Sequence, residues 1–237
     1  MFSCKKKTIT PNTSGNNTTD TTKTTNQTIG NPGPTITDAE GNKHKKVIIW
    51  AQTWMAENLR TSKYSDGSTI PNITDNTQWE NNTTGAWCYY KNDAANNVKY
   101  GKLYNWYAVS KTTNGIKNVC PTDWLVPTEN EWTVLTNYLG GASVAGGKMK
   151  EVGTTNWGSL NTDATNVSLF TGLPGGVLTY LFPPFGNQGS HGYWWSSSEI
   201  SQNTARYRCL SSNNSNSANF VFNFFKKDGF SVRCLMD

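Results

Sequence analysis

Apolar residues along this chain come in short bursts, separated by long polar and glycine-containing stretches. Val47-Ile48-Ile49-Trp50 is the first burst and predicts an opening strand, with residues 52–60 continuing extended. Residues 64–82 read as loops. Ala86-Trp87-Cys88-Tyr89-Tyr90 predicts a short aromatic strand. Residues 103–109 fit one helical turn or a buried strand, and periodicity does not choose between them. The clearest local signal is Pro127-Thr128-Glu129-Asn130-Glu131-Trp132, in which Thr128 is the helix N-cap and Glu131, at N3, completes a capping box. Trp132, Leu135 and Leu139 then share one apolar face, and Gly140-Gly141 ends the helix. The bursts at residues 170–176, 193–199, 205–210, 220–224 and 229–234 read as short antiparallel strands joined by Gly/Ser/Asn loops. No period of 20–50 residues repeats. The expectation is one α+β domain over residues 45–237, with one or two helices and short antiparallel strands.

Before that domain the pattern disappears. From Thr8 to Thr37 the chain is Thr, Asn, Gly and Pro with almost no apolar side chain. Such a segment buries too little surface to offset its ordering entropy, so residues 1–37 are expected to form a disordered stalk. A flexible segment of that length reaches about 30 Å on average. The chain opens Met1-Phe2-Ser3-Cys4-Lys5-Lys6-Lys7 and holds no apolar stretch of membrane-spanning length. A Cys after a small residue and before a polar run is similar to the end of a bacterial lipoprotein signal. That likeness implies a lipid on Cys4, with the apolar part of the signal upstream of Met1; the alternative is an incidental Cys in an unstructured terminus. Asp20-Thr21-Thr22 resembles the O-glycosylation acceptor sites of Bacteroidetes, which makes Thr21 a candidate. A chance match in a Thr-rich tract is the competing reading.

Composition adds three constraints. The 237 residues suit one large domain, or one domain with an appendage. Of the net charge of +5, the first 33 residues hold Lys5, Lys6, Lys7 and Lys23 against Asp20, which is 4 − 1 = +3. A nucleic-acid binder concentrates its cations on the folded domain, so nucleic acid is not an expected partner. The ten Trp residues supply a core without many aliphatic side chains. Small polar residues with few Lys/Glu pairs suit an extracytoplasmic protein.

Catalytic signatures are missing from the chain. His44 borders the stalk and His191 lies in a Gly/Ser loop, with no spacing of a zinc site. There is no nucleophile elbow, phosphate loop or dinucleotide fingerprint. No catalysis, metal or cofactor is therefore expected. Glycoside hydrolysis stays open only through carboxylates that would have to meet in space: Glu57, Asp66, Asp75, Glu151, Glu199 and Asp228. Most of Trp54, Trp106, Trp124, Trp132, Trp194 and Trp195 are expected in the core, with a minority exposed to stack on sugar faces. Beyond Cys4, Cys88, Cys120, Cys209 and Cys234 suggest two disulfides with three connectivities, or free buried thiols.

Residues 52–60, 101–109, 120–141, 146–150, 170–176, 193–199 and 229–237, in this order, resemble the Fibrobacter succinogenes major paralogous domain, a family of exported proteins. The resemblance implies a cell-envelope location, often as a lipoprotein, and no established activity. Val126-Pro127-Thr128-Glu129-Asn130-Glu131-Trp132 and the ending at residues 229–234 are also similar to the sulfatase-modifying (formylglycine-generating) proteins, which implies a C-type-lectin-like fold. The close copper-binding cysteine pair of those enzymes has no counterpart here. By the lectin-like analogy Cys120 pairs with Cys234, adding roughly 4 kcal/mol, which leaves Cys88 with Cys209. The Glu-Pro-Asn and Trp-Asn-Asp triplets of calcium-dependent sugar binders are missing, which speaks against calcium.

The expectation for function is a lipid-anchored envelope protein of the outer membrane whose lectin-like domain binds a glycan or a cell-surface protein. Tyr193, Trp194, Glu199, Arg206 and Asp228, with loop 180–191, are the candidate ligand residues. The alternatives are a structural surface component and a carbohydrate-active hydrolase.

Overall fold

The computed structural model describes residues 29–158, 160–179, 184–218 and 224–237. The domain is α+β. A five-stranded antiparallel sheet has the order β1 (Gly30–Thr37), β2 (Lys43–Ile49), β3 (Gln52–Met55), β12 (Leu235–Met236), β6 (Trp124–Leu125). The final strand thus slots between β3 and β6, the strand that precedes the main helix. Between β3 and β6 lie α1 (Asn76–Asn81), β4 (Trp87–Cys88), α2 (Asn96–Tyr100), β5 (Leu103–Tyr104) and α3 (Trp106–Val109). Residues 103–109 are therefore both things the pattern allowed, a strand and then a helical turn. After β6 come α4 (Glu129–Tyr138), α5 (Ala142–Met149), β7 (Val177–Leu178) and β8 (Phe185–Gly186). The sheet of β9 (His191–Glu199), β10 (Ala205–Ser211) and β11 (Ser217–Ala218) completes the set.

The helix start is as the sequence predicts. Thr128 Oγ1 accepts from the Glu131 N–H, the Glu131 carboxylate accepts from the Thr128 N–H, and Trp132, Leu135 and Leu139 are buried. Among the described residues five α-helices form where one or two were expected, because α1, α2, α3 and α5 are too short to show a sustained apolar period.

Two parts of the stalk expectation divide. Residues 1–28, with Cys4 and Thr21, lie outside the described residues. Residues 30–37 are corrected: they are strand β1, paired with β2 from Gly30↔Ile49 to Thr37↔Lys43. Pairing uses backbone groups, so a polar segment can hold an edge without an apolar run of its own. Pro32 and Pro34 fit this edge, where an absent N–H costs no ladder bond, and the register slips between Gly33 and Ile36. The hairpin turn is tied by Asp38, which accepts from the Glu40 and Asn42 N–H groups and from Asn42 Nδ2. Its Oδ2 lies 2.8 Å from His44 Nε2, and both side chains are buried. His44 is thus part of the domain's first turn.

Strand β9 is the wall between two cores. Trp194 packs with Trp54, Trp132 and Phe170 on one side, while Trp195 packs with Trp106, Tyr207 and Phe230 on the other. Alternate strand residues point to opposite faces, so consecutive tryptophans feed separate cores. Trp54 and Met55, and Cys209 and Leu210, divide in the same way.

Helix α5 contains Gly146 and Gly147, each costing about 1 kcal/mol in helix propensity. Their contacts explain them. A Cβ on Gly146 would stand 2.1 Å from the Asn216 carbonyl oxygen, and one on Gly147 would stand 2.5 Å from that of Asp163. Two loops therefore press backbone-to-backbone on this helix. Just beyond it the Lys150 ammonium donates to the Thr162, Ser211 and Asn214 carbonyls at 2.8, 2.9 and 2.8 Å.

Gly146→Ala, which would stabilise an exposed helix, is expected to destabilise this domain by more than about 2 kcal/mol in urea unfolding, because a buried backbone must move. A second expectation concerns pH. Burial alone would raise the Asp38 carboxyl, but hydrogen bonds from His44 and Asn42 outweigh it and leave it below the ordinary 3.8. A carboxyl depressed on folding stabilises above its unfolded value, and that contribution is lost as pH falls through the folded value. Urea midpoints should therefore drop below about pH 4 in the native protein, and Asp38→Asn should start lower and fall less steeply.

Candidate functional site

Among the described residues, a cleft with convergent polar groups lies where α3 meets the end of β9 and the start of α4. Asn105 builds its first wall. Its Oδ1 accepts from the Ala86 and Ala108 N–H groups at 3.0 and 3.1 Å, which starts the single turn of α3. Trp106 is then locked by its Nε1, which donates to the Ser196 carbonyl at 2.9 Å, and by its N–H, which donates to that of Lys226 at 2.7 Å. The opposite wall is fastened by Ser197 N–H donating to the Pro127 carbonyl and by Ser198 Oγ, which accepts from the Glu129 N–H. Arg208, almost buried, holds the same helix start through Glu129 at 2.8 Å and Thr133 Oγ1 at 3.1 Å.

The cleft holds about 300 Å³. Trp106, Val109, Leu125 and Val126 give it an apolar floor. Ser110, Thr112, Thr128 and Ser197 contribute hydroxyls and Asn118 an amide. Lys111 and Glu199 stand at its charged rim. The Glu199 carboxylate, with 48% of its side chain in water, ion-pairs with the Lys226 ammonium, whose side chain is only 4% exposed. That ammonium also sits 4.6 Å from the Trp106 ring centroid, so a ring face and a carboxylate share the buried cation. Thr128, a helix cap by sequence, is also a cleft wall.

The predicted ligand residues fare unequally. Glu199 lines the cleft, and Arg206 is exposed on β10 beside it in the hairpin. Trp194 is corrected: it is fully buried, with Nε1 donating to Asn58 Oδ1 at 2.8 Å. Tyr193 is buried too, stacked between His191 and Phe230 at 5.8 and 5.2 Å, with its hydroxyl accepting from Asn187 Nδ2. Asp228 is buried and accepts from the Phe225 N–H at 2.7 Å. Tyr193 and Trp194 are core because β9 is covered on both faces, where a one-sided strand would have exposed alternate rings. Of loop 180–191, residues 180–183 lie outside the described residues.

The other carboxylates weighed for hydrolysis serve local turns and caps. Asp66 accepts from Ser68, Asp75 caps α1, Glu151 accepts from Asn156, and Glu57 accepts from the Lys45 N–H. Among the described residues Glu199 is the one carboxylate lining the cleft. Among the described residues no three His, Cys, Asp or Glu gather as a metal group, and no helix is long and apolar enough to cross a membrane.

Cys120 and Cys234 form a disulfide with Cα atoms 5.9 Å apart, linking the approach to β6 with the terminal strand. The second expected bridge is corrected. Cys88 and Cys209 are free, buried thiols in different cores, and burial pushes both up.

The family model described as Fibrobacter succinogenes major domain matches residues 47–236, and the chain belongs to that family. No curated protein and no solved structure matches the chain.

Proposed function

We propose that this Fibrobacter succinogenes major domain protein is a cell-envelope recognition module whose cleft between α3 and β9 takes a glycan or a protein ligand, and that it is not an enzyme. The carrying observation is the lining of that cleft: an apolar floor at Trp106 surrounded by hydroxyls and one amide, with a single, ion-paired carboxylate at the rim. A binding pocket is typically apolar with a few placed polar groups, and about 300 Å³ is at the small end of the usual range. Hydrolysis of a glycoside calls for two carboxylates across an open space, which argues for binding over cleavage. The Cys120–Cys234 bridge supports an oxidising compartment. In this reading Cys4 carries the lipid of an outer-membrane anchor, the segment after it acts as spacer, and Thr21 is a glycosylation site. A lectin-like ancestry accords with the terminal strand returning beside β3 and with the disulfide that ties it.

The test is a glycan array together with pull-downs from envelope extracts, using the full chain and its Ser197→Trp variant. Ser197 is half-buried on the cleft wall, so a Trp there fills the space. Ligand capture that falls at least about tenfold in the variant is the expected result. A silent array and pull-down, or capture indifferent to the substitution, overturns the proposal.

A further inference from the structure

A second cleft, also about 300 Å³, lies on the other side of α3. Tyr107 and Phe225 give it rings, Asn82 and Asn203 amides, and Thr83 a hydroxyl, while Glu80 and Lys227 face each other at 3.8 Å. Three pairs of neighbours join it to the first cleft. Trp106 lines one and Tyr107 the other, and their Cα atoms are consecutive, about 3.8 Å apart. Glu199 and Asn203 belong to one β9–β10 turn. Buried Lys226 supports the boundary between them: its ammonium pairs with Glu199 and lies over the Trp106 ring, its N–H donates to the Asn203 carbonyl at 2.8 Å, and Lys227 follows in the second cleft.

We infer that the two clefts are subsites of one groove that takes a neutral oligosaccharide, with sugar units on either side of the Glu199–Lys226 boundary. The inference rests on the recognition reading above and goes further, to the chemistry and length of the ligand. Charge selects the class. Counting Lys226, the first cleft sets Lys111 and Lys226 against Glu199 and the second sets Lys227 against Glu80, so neither gathers the several like charges a polyion calls for, and Glu199 and Glu80 are the more exposed partners of their ion pairs. A polyanion would meet a carboxylate at each subsite, and a polycation would meet a lysine. Amides, hydroxyls and half-exposed carboxylates accept from and donate to sugar hydroxyls, and the partly exposed Tyr107 and Phe225 rings of the second cleft offer faces to C–H surfaces, while buried Trp106 backs the first cleft. A peptide added as a strand would need an unpaired sheet edge, and beside the groove β9 is bonded through the Ser197 N–H to the Pro127 carbonyl on one side and paired with β10 on the other.

The test uses tryptophan fluorescence and calorimetric titration of the full chain with cello-, xylo-, manno-, malto- and chito-oligosaccharides of one, two and four units. At least one backbone is expected to bind about tenfold tighter as the tetramer than as the dimer. Thr83→Trp, an exposed position of the second cleft, should bring tetramer affinity down to the dimer's and leave the dimer unchanged. Ser197→Trp should weaken both. Binding independent of length, with Thr83→Trp silent, overturns the two-subsite groove while leaving the single-cleft reading standing. No binding by any of these sugars, or capture of an envelope protein that Thr83→Trp abolishes, overturns the saccharide assignment.

Discussion

Much of this domain is arranged around one fully buried guanidinium. Arg233, on the approach to the last strand, donates to the Met55, Phe170 and Thr171 carbonyls and to Asn58 Oδ1. Its plane lies 4.2 Å from the Phe170 ring centroid. A charge taken out of water is tolerated only where its donors are met, and the main-chain and amide oxygens meet them here. Burial draws its pKa down, but a guanidinium held by several acceptors keeps its proton. Asn58 completes the centre. Its Oδ1 also accepts from Trp194 Nε1, and its Nδ2 donates to the Tyr100 carbonyl and Ser231 Oγ. The β3 end, the 170–171 turn, strand β9 and the chain terminus are thereby fixed to one another.

The same device recurs where regular structure is thin. Lys150 satisfies three loop carbonyls and lies 5.6 Å from the Trp157 ring, with burial lowering it to about 8. Lys102 donates to the Arg60 carbonyl over the Trp87 ring at 4.6 Å. Lys226 joins Glu199 and Trp106. Short strands and one-turn helices supply few hydrogen bonds of their own, so buried cations gather the loose carbonyls and rings that would otherwise stay unpaired. The groove inherits its boundary from this logic. Lys226 is a fold-building cation whose partner carboxylate faces the space where ligand would sit.

What could be read in advance follows the range of the interaction. The Thr128/Glu131 cap and the Trp132–Leu135–Leu139 face are local, and they stand in the structure as the pattern predicts. The Cys120–Cys234 bridge came from likeness of the ending to other families, and it is present. Strand β1 was invisible because its sequence has no apolar run and its stability comes from β2. Trp194 fitted both the expected core tryptophans and the candidate ligand residues, and with β9 covered on both faces it is core. Cys88 and Cys209 looked like a second bridge on cysteine count, yet they lie in separate cores. The cleft was partly legible through Glu199. Its other essential partner, Lys226, is 27 positions away and carries no local mark. Gly146 and Gly147 are the openings through which two loops approach α5.

Arg233 and Asn58 act as one unit on which the two cores depend. A double-mutant cycle of Arg233→Met and Asn58→Leu, read by urea unfolding with the disulfide intact, tests it most directly. Each single substitution should cost about 3–5 kcal/mol, because it strands buried polar groups of the other. The double variant should cost little more than the worse single, a coupling of about 2 kcal/mol or more. Additive costs, or single losses below about 1 kcal/mol, would contradict the account.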